Sequence, residues 1–191
     1  HAVDGVDLVL HAGEFATLAG PSGSGKTTLL NIIGGLDRPD EGTVMVGGVT
    51  LGDRSEDELA KLRLHTIGFV FQAYNLIPVL TVYENIQFVL QIQGAPEREH
   101  LGRIMPLLER LEVAGFENRF PGQLSGGQQQ RIAVARAVVG NPSIILADEP
   151  TANLDSESAS NLLRLMRGLN EDRGVTFLFS SHDPMVIGEA R

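Results

Sequence analysis

The chain has 191 residues, and its 15 Lys and Arg against 24 Asp and Glu give a formal net charge of −9 at pH 7. This length predicts one domain with a sizeable core, and a content of 42% hydrophobic and 20% charged residues excludes a largely disordered chain. The acidic balance disfavours a nucleic-acid-binding protein, and the absence of Cys excludes disulfide scaffolds and thiolate metal sites.

Short apolar segments alternate with helical spacings in the first part of the chain. Residues 14–19 form an apolar run that stops at Gly20-Pro21, which predicts a buried strand. Further elements are expected in chain order: a helix from about residue 29 that ends at Gly34-Gly35, a strand over 43–46, a polar helix over 55–64 and a strand over 67–71.

The middle of the chain has a different character, since no strand pattern occurs from Gln72 to about Gln123. Thr81 forms a capping box with the residue three positions later and opens a helix that runs to about residue 93. A second helix is expected around 101–111, and Pro106 should kink or split it. This section therefore predicts a helical insertion into an α/β core.

Alternation of helices and strands returns in the last part of the chain. The expected elements are a helix over 128–139, a strand over 143–147, a helix over 156–170 that Asp155 caps, a strand over 175–180 and a helix that starts at Asp183-Pro184. Strands that alternate with helices predict a mostly parallel, doubly wound sheet.

Residues 66–83 form a long run without charged residues, a feature that membrane-spanning segments also show. It contains Gln72, Asn75 and Pro78, so we do not expect it to span a bilayer. No signal-peptide pattern opens the chain. From composition alone, we expect a soluble, intracellular, acidic α/β domain.

Residues 20–27 satisfy the pattern G-x-x-x-x-G-K-[ST] between a predicted strand and a predicted helix. Glycines let successive backbone N–H groups point inward, which forms a cradle for phosphate oxygens at a positive helix end. Lys26 then supplies a positive charge for the β- and γ-phosphates, and the Thr27 hydroxyl suits Mg²⁺. A Gly-rich turn that matches by accident is the alternative, and the strand–loop–helix setting disfavours it.

Asp148 and Glu149 follow an apolar strand directly. Because ligands of doubly wound sheets sit at the carboxyl ends of strands, both carboxylates should face the nucleotide. Asp148 is suited to the Mg²⁺ shell, and Glu149 is suited to orient and deprotonate a water molecule. On their own, the two residues are equally well explained as solvated groups at a strand end.

Residues 124–128, Leu-Ser-Gly-Gly-Gln, precede a predicted helix. Ser125 can cap that helix, and Gly126 with Gly127 permits close backbone approach, which makes a second anion site. Such a site implies nucleotide from a second molecule in a head-to-tail pair. A simple capped loop explains the residues equally well.

These motifs together resemble the nucleotide-binding domain of ABC transporters, over nearly the whole chain. Residues 124–128 match the family signature without change, Gln72 matches the Q-loop, and Asp148 with Glu149 matches the Walker B pair. Residues 151–155 look like the D-loop, with Ala152 where relatives often have Gly, and residues 181–183 look like the switch-histidine segment.

The resemblance implies a P-loop NTPase (RecA-like) fold, in which 1–72 and 124–191 form the core with an antiparallel β part and 73–123 form a helical subdomain. It implies ATP and Mg²⁺ as ligands, with Glu149, His182, Gln72 and Lys26 as catalytic residues and Thr27, Gln72 and Asp148 at the metal. The implied nucleotide-binding residues are Gly20, Pro21, Ser22, Gly23, Ser24, Gly25, Lys26, Thr27, Thr28, Ser125, Gly126, Gly127, Gln128 and Asp155. Outside this resemblance, His182 is better explained as a helix-entry residue, and Gln72 equally well as a polar strand end.

The resemblance also implies partners and a location. We expect two copies that sandwich two ATP molecules head to tail, and a transmembrane permease that binds through coupling helices at the cytoplasmic face of the inner membrane. No nucleic-acid partner is expected. The sequences around Phe71-Gln72 and residues 124–131 and 146–150 are most similar to ATPases of lipoprotein-releasing and macrolide-exporting systems and their cell-division relatives.

One departure concerns the adenine. The family stacks this base on an aromatic residue shortly before the first core strand, whereas no aromatic residue precedes Phe15 here. We therefore expect a domain trimmed at both ends that lacks this platform, with Phe15 in the core. A soluble ABC ATPase that acts on DNA or translation and a non-catalytic ATP-gated clamp remain as alternatives; the net charge of −9 and the short insertion count against the first, and Glu149 with His182 against the second.

Overall fold

The computed structural model describes residues 3–189. Six strands occur among them, in chain order β1 Phe15–Ala19, β2 Met45–Val46, β3 Val49–Thr50, β4 Ile67–Val70, β5 Ile144–Asp148 and β6 Thr176–Ser181. The helices are α1 Lys26–Ile33, α2 Glu56–Thr66, α3 Val82–Ile92, α4 Glu97–Arg110, α5 Gly126–Val138, α6 Ser156–Arg173 and α7 Pro184–Glu189, with a 3₁₀ helix at Pro121–Gln123.

The main sheet has four strands in the order β1-β6-β5-β4, and every neighbouring pair is parallel. The central strands β5 and β6 are almost fully buried, which explains their near-continuous apolar sequence. Helices connect the strands, so the predicted mostly parallel α/β fold is confirmed. The carboxyl ends of β1, β5 and β6 meet at one edge, where Asp148 pairs with Ser180 and Ala19 pairs with Ser181.

A small antiparallel hairpin lies apart from this sheet and corrects one prediction. The strand expected over 43–46 is only β2, and it pairs with β3, which sequence patterning did not predict. Gly47 and Gly48 both have positive φ, at 58° and 78°, as a tight two-residue hairpin turn requires. Two residues per strand are too few to display an alternating pattern, and this is why β3 escaped notice.

Between β4 and β5 the described residues contain helices and no strand, in agreement with the pattern of the sequence. The helices α3 and α4 pack on α5 through side chains that are fully buried, among them Ile86, Leu90, Ile104, Leu108 and Ile132. The sequence predicts a kink or a split at Pro106; helix α4 continues through this residue, so a split does not occur. Leu107 and Leu108 directly after the proline are 1% and 0% exposed, and this burial offsets the missing backbone hydrogen bond.

Gly68 in β4 shows how closely α5 approaches the sheet. A Cβ atom at this position would lie 2.5 Å from the carbonyl oxygen of Ala137, so only glycine fits without movement of the helix. Ala137 lies in the last turn of α5, so this contact sets how closely the C-terminal end of the helix approaches the sheet. Within the described range, no helix is both long enough and apolar enough to cross a membrane.

Candidate functional site

A cleft of about 380 Å³ lies at the carboxyl edge of the main sheet. Residues from distant parts of the chain line it: Ser22, Gly23, Gly25, Lys26, Thr27, Thr28, Gln72, Asp148, Glu149, Ala152 and His182. The fold therefore brings together the glycine-rich loop of residues 20–27, the paired carboxylates, Gln72 and His182, as the sequence predicts.

The loop of residues 20–27 connects β1 to α1. Gly23 and Gly25 adopt φ values of 79° and 89°, and Gly25 is the N-cap of α1 without a side-chain cap. The first N–H groups of α1 are therefore not used by a capping side chain, which leaves them for an anion. The Lys26 ammonium donates to the carbonyls of Gly20 and Pro21 at 2.7 and 3.0 Å, so it lies folded over the loop.

The neighbouring Thr27 hydroxyl donates to Asp148, at 2.9 Å from Oδ2. The Ser180 hydroxyl donates to the other oxygen, Oδ1, at 2.6 Å. Thr27 and Asp148 therefore present a hydroxyl and a carboxylate side by side at the cleft. These are oxygen donors of the kind that Mg²⁺ prefers when phosphate oxygens and waters complete its shell. Among residues 3–189, no set of three or more His, Asp and Glu side chains forms a metal cage of its own.

Glu149 adopts a left-handed backbone with φ of 46°, directly after β5. Its N–H donates to the Ser180 hydroxyl at 2.9 Å, and this contact holds the unfavourable conformation. Its carboxylate lies 3.0 Å from Nδ1 of His182 and 3.6 Å from Nζ of Lys26. The side chain of Glu149 is 16% exposed, so the two basic groups approach a carboxylate that is largely withdrawn from water.

Ser180 is a site residue that the sequence analysis missed. It is fully buried in β6, opposite Asp148, and it contacts both members of the carboxylate pair. Thr176 and Ser181 of β6 are polar and buried as well, so no local pattern in the sequence singles out Ser180.

The glycine-rich loop of residues 124–128 does not line the cleft in this chain. Ser125 caps α5 in a capping box with Gln128, in which the Gln128 N–H donates to the Ser125 hydroxyl at 3.3 Å and the amide oxygen of Gln128 accepts from the Ser125 N–H at 2.9 Å. A Cβ atom on Gly126 would lie 2.7 Å from the Tyr74 hydroxyl, and Gly127 faces Ser158. The expected close approach at Gly126 is thus made by Tyr74.

Asp155 also lies outside the residues that line the cleft. Its carboxylate caps α6 and accepts from the Ser158 N–H at 2.9 Å and from the Ser158 hydroxyl at 2.7 Å. These hydrogen bonds lower the pKa of Asp155. Within one chain, Asp155 and the loop of residues 124–128 are therefore helix caps, separate from the phosphate loop.

The remaining predicted residues have clear places. Ser24 packs against Gly20, where a Cβ atom would lie 2.8 Å from its hydroxyl, so the loop closes tightly on itself. Phe15 is 6% exposed, and its ring contacts that of Phe177 at a tilt and that of Phe179 edge-on. It lies in the core, as expected, and does not offer an aromatic platform at the surface.

Comparison with known proteins connects this geometry to one family. The family profile described as "ABC transporter" matches residues 3–152. The ABC transporter ATP-binding protein MJ0796 of Methanocaldococcus jannaschii is 48% identical over 189 residues, which are 96% of this chain and 80% of that protein. The lipoprotein-releasing system ATP-binding protein LolD 1 of Rhodopseudomonas palustris is 47% identical, over 94% of this chain and 80% of its own length.

A larger relative and a solved structure extend the comparison. The macrolide export ATP-binding/permease protein MacB of Syntrophobacter fumaroxidans is 46% identical over 98% of this chain, which corresponds to 26% of MacB. The dimeric structure of the MJ0796 ATP-binding cassette in a post-hydrolysis state with ADP and Pi superposes with a TM-score of 0.90, at 45% identity. The superposition covers 99% of this chain and 83% of the other.

Proposed function

The chain belongs to the ABC transporter family, as an ATP-hydrolysing cassette with the P-loop NTPase fold, and we propose that it powers a membrane transporter or mechanotransmission complex. The observation that carries the proposal is the cleft in which Lys26, Thr27, Asp148, Glu149 and His182 meet. One cleft holds a phosphate cradle, a pair of oxygen donors and a carboxylate positioned as a base, which are the groups that hydrolysis of a phosphoanhydride needs.

The phosphates of ATP bind to the loop of residues 20–28 in this proposal. The left-handed glycines and the uncapped N-terminus of α1 support an anion there. Lys26 leaves the carbonyls of Gly20 and Pro21 and neutralises charge on the β- and γ-phosphates. Thr27, Asp148 and Gln72, which line the cleft, would hold Mg²⁺, and the bound ion would stabilise the charge that develops on the phosphate oxygens.

Glu149 orients a water molecule and accepts its proton as the water oxygen attacks the γ-phosphorus. The bond between that phosphorus and the β–γ bridging oxygen breaks, and ADP and inorganic phosphate are the products. The contact between Nδ1 of His182 and the Glu149 carboxylate, at 3.0 Å, fixes the direction in which that carboxylate points. The Ser180 hydroxyl holds both Glu149 and Asp148 in place, because it accepts from the Glu149 N–H and donates to the Asp148 carboxylate.

A second copy of the chain completes each site. Ser125, Gly126, Gly127, Gln128 and Asp155 lie outside the cleft of their own chain, so they contribute to ATP binding only from a partner. The dimeric state of the related MJ0796 cassette supports this arrangement. The two symmetric sites then close head to tail on two ATP molecules, and hydrolysis opens them.

A permease partner binds the surface beyond Gln72. Val79, which follows Gln72 by seven residues, is 78% exposed, and Leu101 in α4 is 61% exposed, so apolar side chains face outward on the segment between β4 and α5. These exposed apolar side chains would offer contact area to such a partner. The protein would then lie at the cytoplasmic face of the inner membrane, with residues 73–123 as a helical subdomain that transmits motion. The names of the relatives LolD and MacB support lipoprotein, macrolide or peptide export as the process.

A cell-division-type membrane complex is the alternative within the same family. The choice depends on the membrane partner, because the chemistry of the cleft is common to both. Isolation of the full natural protein from mild detergent and identification of the membrane protein that copurifies with it decides between them.

The phosphate-binding assignment is tested with the chain's two lysines. Lys26→Ala should lose ATP binding, because the charge on the phosphates is left without compensation, whereas Lys61→Ala on the exposed face of α2 should bind ATP as the natural protein does. Equilibrium binding of labelled ATP measures both. An unchanged affinity of Lys26→Ala for ATP would refute the assignment of residues 20–28 as the phosphate-binding loop.

A further inference from the structure

The turn of residues 71–75, which follows β4 and carries Gln72, has an unfavourable backbone. Tyr74 and Asn75 have φ values of 59° and 51°, so two successive residues that are not glycine adopt the left-handed conformation. Such a conformation is unfavourable for a residue with a side chain, and it persists only where the surroundings hold it. Something must therefore fix this turn, which we call the Gln72 turn.

Arg136 of α5 holds the strained part of the Gln72 turn. Its guanidinium donates through Nη2 to the carbonyl of Tyr74 at 3.0 Å and through Nη1 to the carbonyl of Asn75. The planar fork of an arginine, whose N–H donors lie on separate nitrogen atoms in one rigid plane, suits two successive carbonyls. The side chain is partly buried, and this burial lowers the pKa of the guanidinium.

No carboxylate among the side chains that the structure describes compensates this charge. Arg136 forms an ion pair with none of them, in contrast to Arg131 on the same helix, which pairs with Glu112 at 3.1 Å. A partly buried cation without a counter-ion is retained at an energetic cost. The carbonyls of Tyr74 and Asn75 are its described acceptors, which ties the residue to the Gln72 turn alone.

Two amide side chains hold the rest of the same turn. The amide of Asn153 donates to the carbonyl of Gln72 at 2.9 Å, and the amide of Gln130 donates to the carbonyl of Phe71 at 3.4 Å. Gln130 is fully buried, on the same helix as Arg136. Side chains from α5 and from the segment after β5 thus fix the carbonyl groups on both sides of the Gln72 side chain.

We propose that Arg136 is a positioning residue, which fixes the Gln72 turn so that the Gln72 side chain stays at the cleft opposite Asp148 and Glu149. The inference rests on the proposed role of Gln72 in ATP hydrolysis. It adds a residue that touches neither nucleotide nor metal, and it gives α5 a direct hold on the cleft. Helix α5 also contacts this turn where the helix begins, because Gly126 lies against the Tyr74 hydroxyl. One rigid helix therefore makes both contacts with the Gln72 turn, through Gly126 and through Arg136.

A double-mutant cycle on the full natural protein tests this inference. Arg136→Gln removes the charge and the two-pronged contact, and it is combined with Gln72→Ala. The matched control is Arg103→Gln in α4, because Arg103 also donates from its guanidinium to a helix carbonyl, that of Val139, at 2.6 Å. ATP-binding stoichiometry gives the concentration of folded sites, and kcat and KM for ATP are measured per folded site.

Arg136→Gln should lower kcat about tenfold with KM for ATP within about twofold, because displacement of a positioning group by a fraction of an ångström to 1 Å acts on the reacting geometry. In the Gln72→Ala background the same substitution should lower kcat by less than about twofold. Arg103→Gln should change kcat by the same factor in the natural protein and in the Gln72→Ala variant.

Two results overturn the inference, and they differ from each other. If Gln72→Ala slows hydrolysis and Arg136→Gln slows it further by the same factor as alone, Arg136 acts independently of Gln72 and only the positioning role fails. If Gln72→Ala leaves kcat unchanged, the proposed role of Gln72 fails and the positioning role fails with it.

Discussion

The Glu149 carboxylate lies 3.0 Å from Nδ1 of His182, while its backbone N–H donates to Ser180. One residue in a left-handed conformation is thereby held at its backbone and at its side chain by two consecutive segments, the end of β6 and the residue just beyond it. The geometry gives each of these contacts a separate consequence that can be measured.

In the proposed mechanism His182 orients the base, and its side chain is 60% exposed. His182→Ala should therefore leave the fold intact and lower kcat by about hundredfold, the usual range for loss of a group that acts through general base catalysis. Steady-state phosphate release measures kcat, and unfolding in urea measures the fold. A loss of ATP binding instead of turnover would contradict the assignment.

The Ser180 hydroxyl contacts both Asp148 and Glu149 from inside the sheet. Removal of this hydroxyl should therefore have larger effects than removal of the Ser181 hydroxyl. Ser180→Ala leaves the partly buried Glu149 N–H without its acceptor and removes one hydrogen bond from Asp148, at a cost of about 1–3 kcal/mol in the free energy of unfolding. The control is Ser181→Ala. The Ser181 hydroxyl is also buried, but it accepts from the Asp183 N–H and not from Glu149.

Turnover separates the two serine variants. Ser180→Ala should raise the Mg²⁺ concentration needed for half-maximal hydrolysis severalfold, because the orientation of Asp148 is loosened. Ser181→Ala should not. Equal Mg²⁺ dependence in the two variants would refute the role of Ser180 as a support of the metal ligand.

Gly68 sets the distance of α5 from the sheet. Gly68→Ala places a methyl group 2.5 Å from the Ala137 carbonyl, so the free energy of unfolding should fall by about 1–3 kcal/mol. Gly52→Ala is the control, because a Cβ atom there has no neighbour within 4 Å. Equilibrium urea unfolding compares the two, and an equal change in both would show that the helix shifts freely.

Asp155 makes the stability depend on pH. Its pKa is lowered in the folded chain by hydrogen bonds from Ser158, so its contribution is fully present above the pKa of an ordinary aspartate. That contribution is lost as the pH falls through the lower, folded pKa. Asp155→Asn keeps a good N-cap but cannot titrate.

Melting temperatures measured from pH 7 to pH 2 display this difference. The natural chain should lose stability relative to Asp155→Asn as the pH falls below the ordinary aspartate range, and the two curves should run parallel above it. Parallel curves at every pH would refute the effect of the capping carboxylate.

The sequence predicted those parts of the molecule that local patterns specify. Four predicted features depend on neighbours within a few residues: the strand–loop–helix around Lys26, the paired carboxylates at the end of β5, the capping box at Thr81 and the helix cap at Ser125. The parallel sheet followed from the alternation of elements, because parallel strands require crossover connections.

Other features arise from contacts between distant residues, and local patterns carry no trace of them. Ser180 reaches Asp148 only through the register of two strands, and Arg136 reaches the carbonyl of Tyr74 across 62 residues of chain. Helix α4 continues through Pro106 because buried apolar contacts outweigh a local rule. The left-handed turn at Tyr74 and Asn75 likewise depends on donors from another helix.

Glu149 is proposed as the base of a site that two copies of the chain complete. The variant Glu149→Gln tests both parts of this proposal in one experiment. The full natural protein that carries this substitution is mixed with ATP and Mg²⁺, and its mass is followed by light scattering while phosphate release is recorded. The account predicts a loss of turnover of about hundredfold or more together with a stable ATP-bound dimer. An unchanged turnover rate, or a monomer that holds ATP, would contradict it.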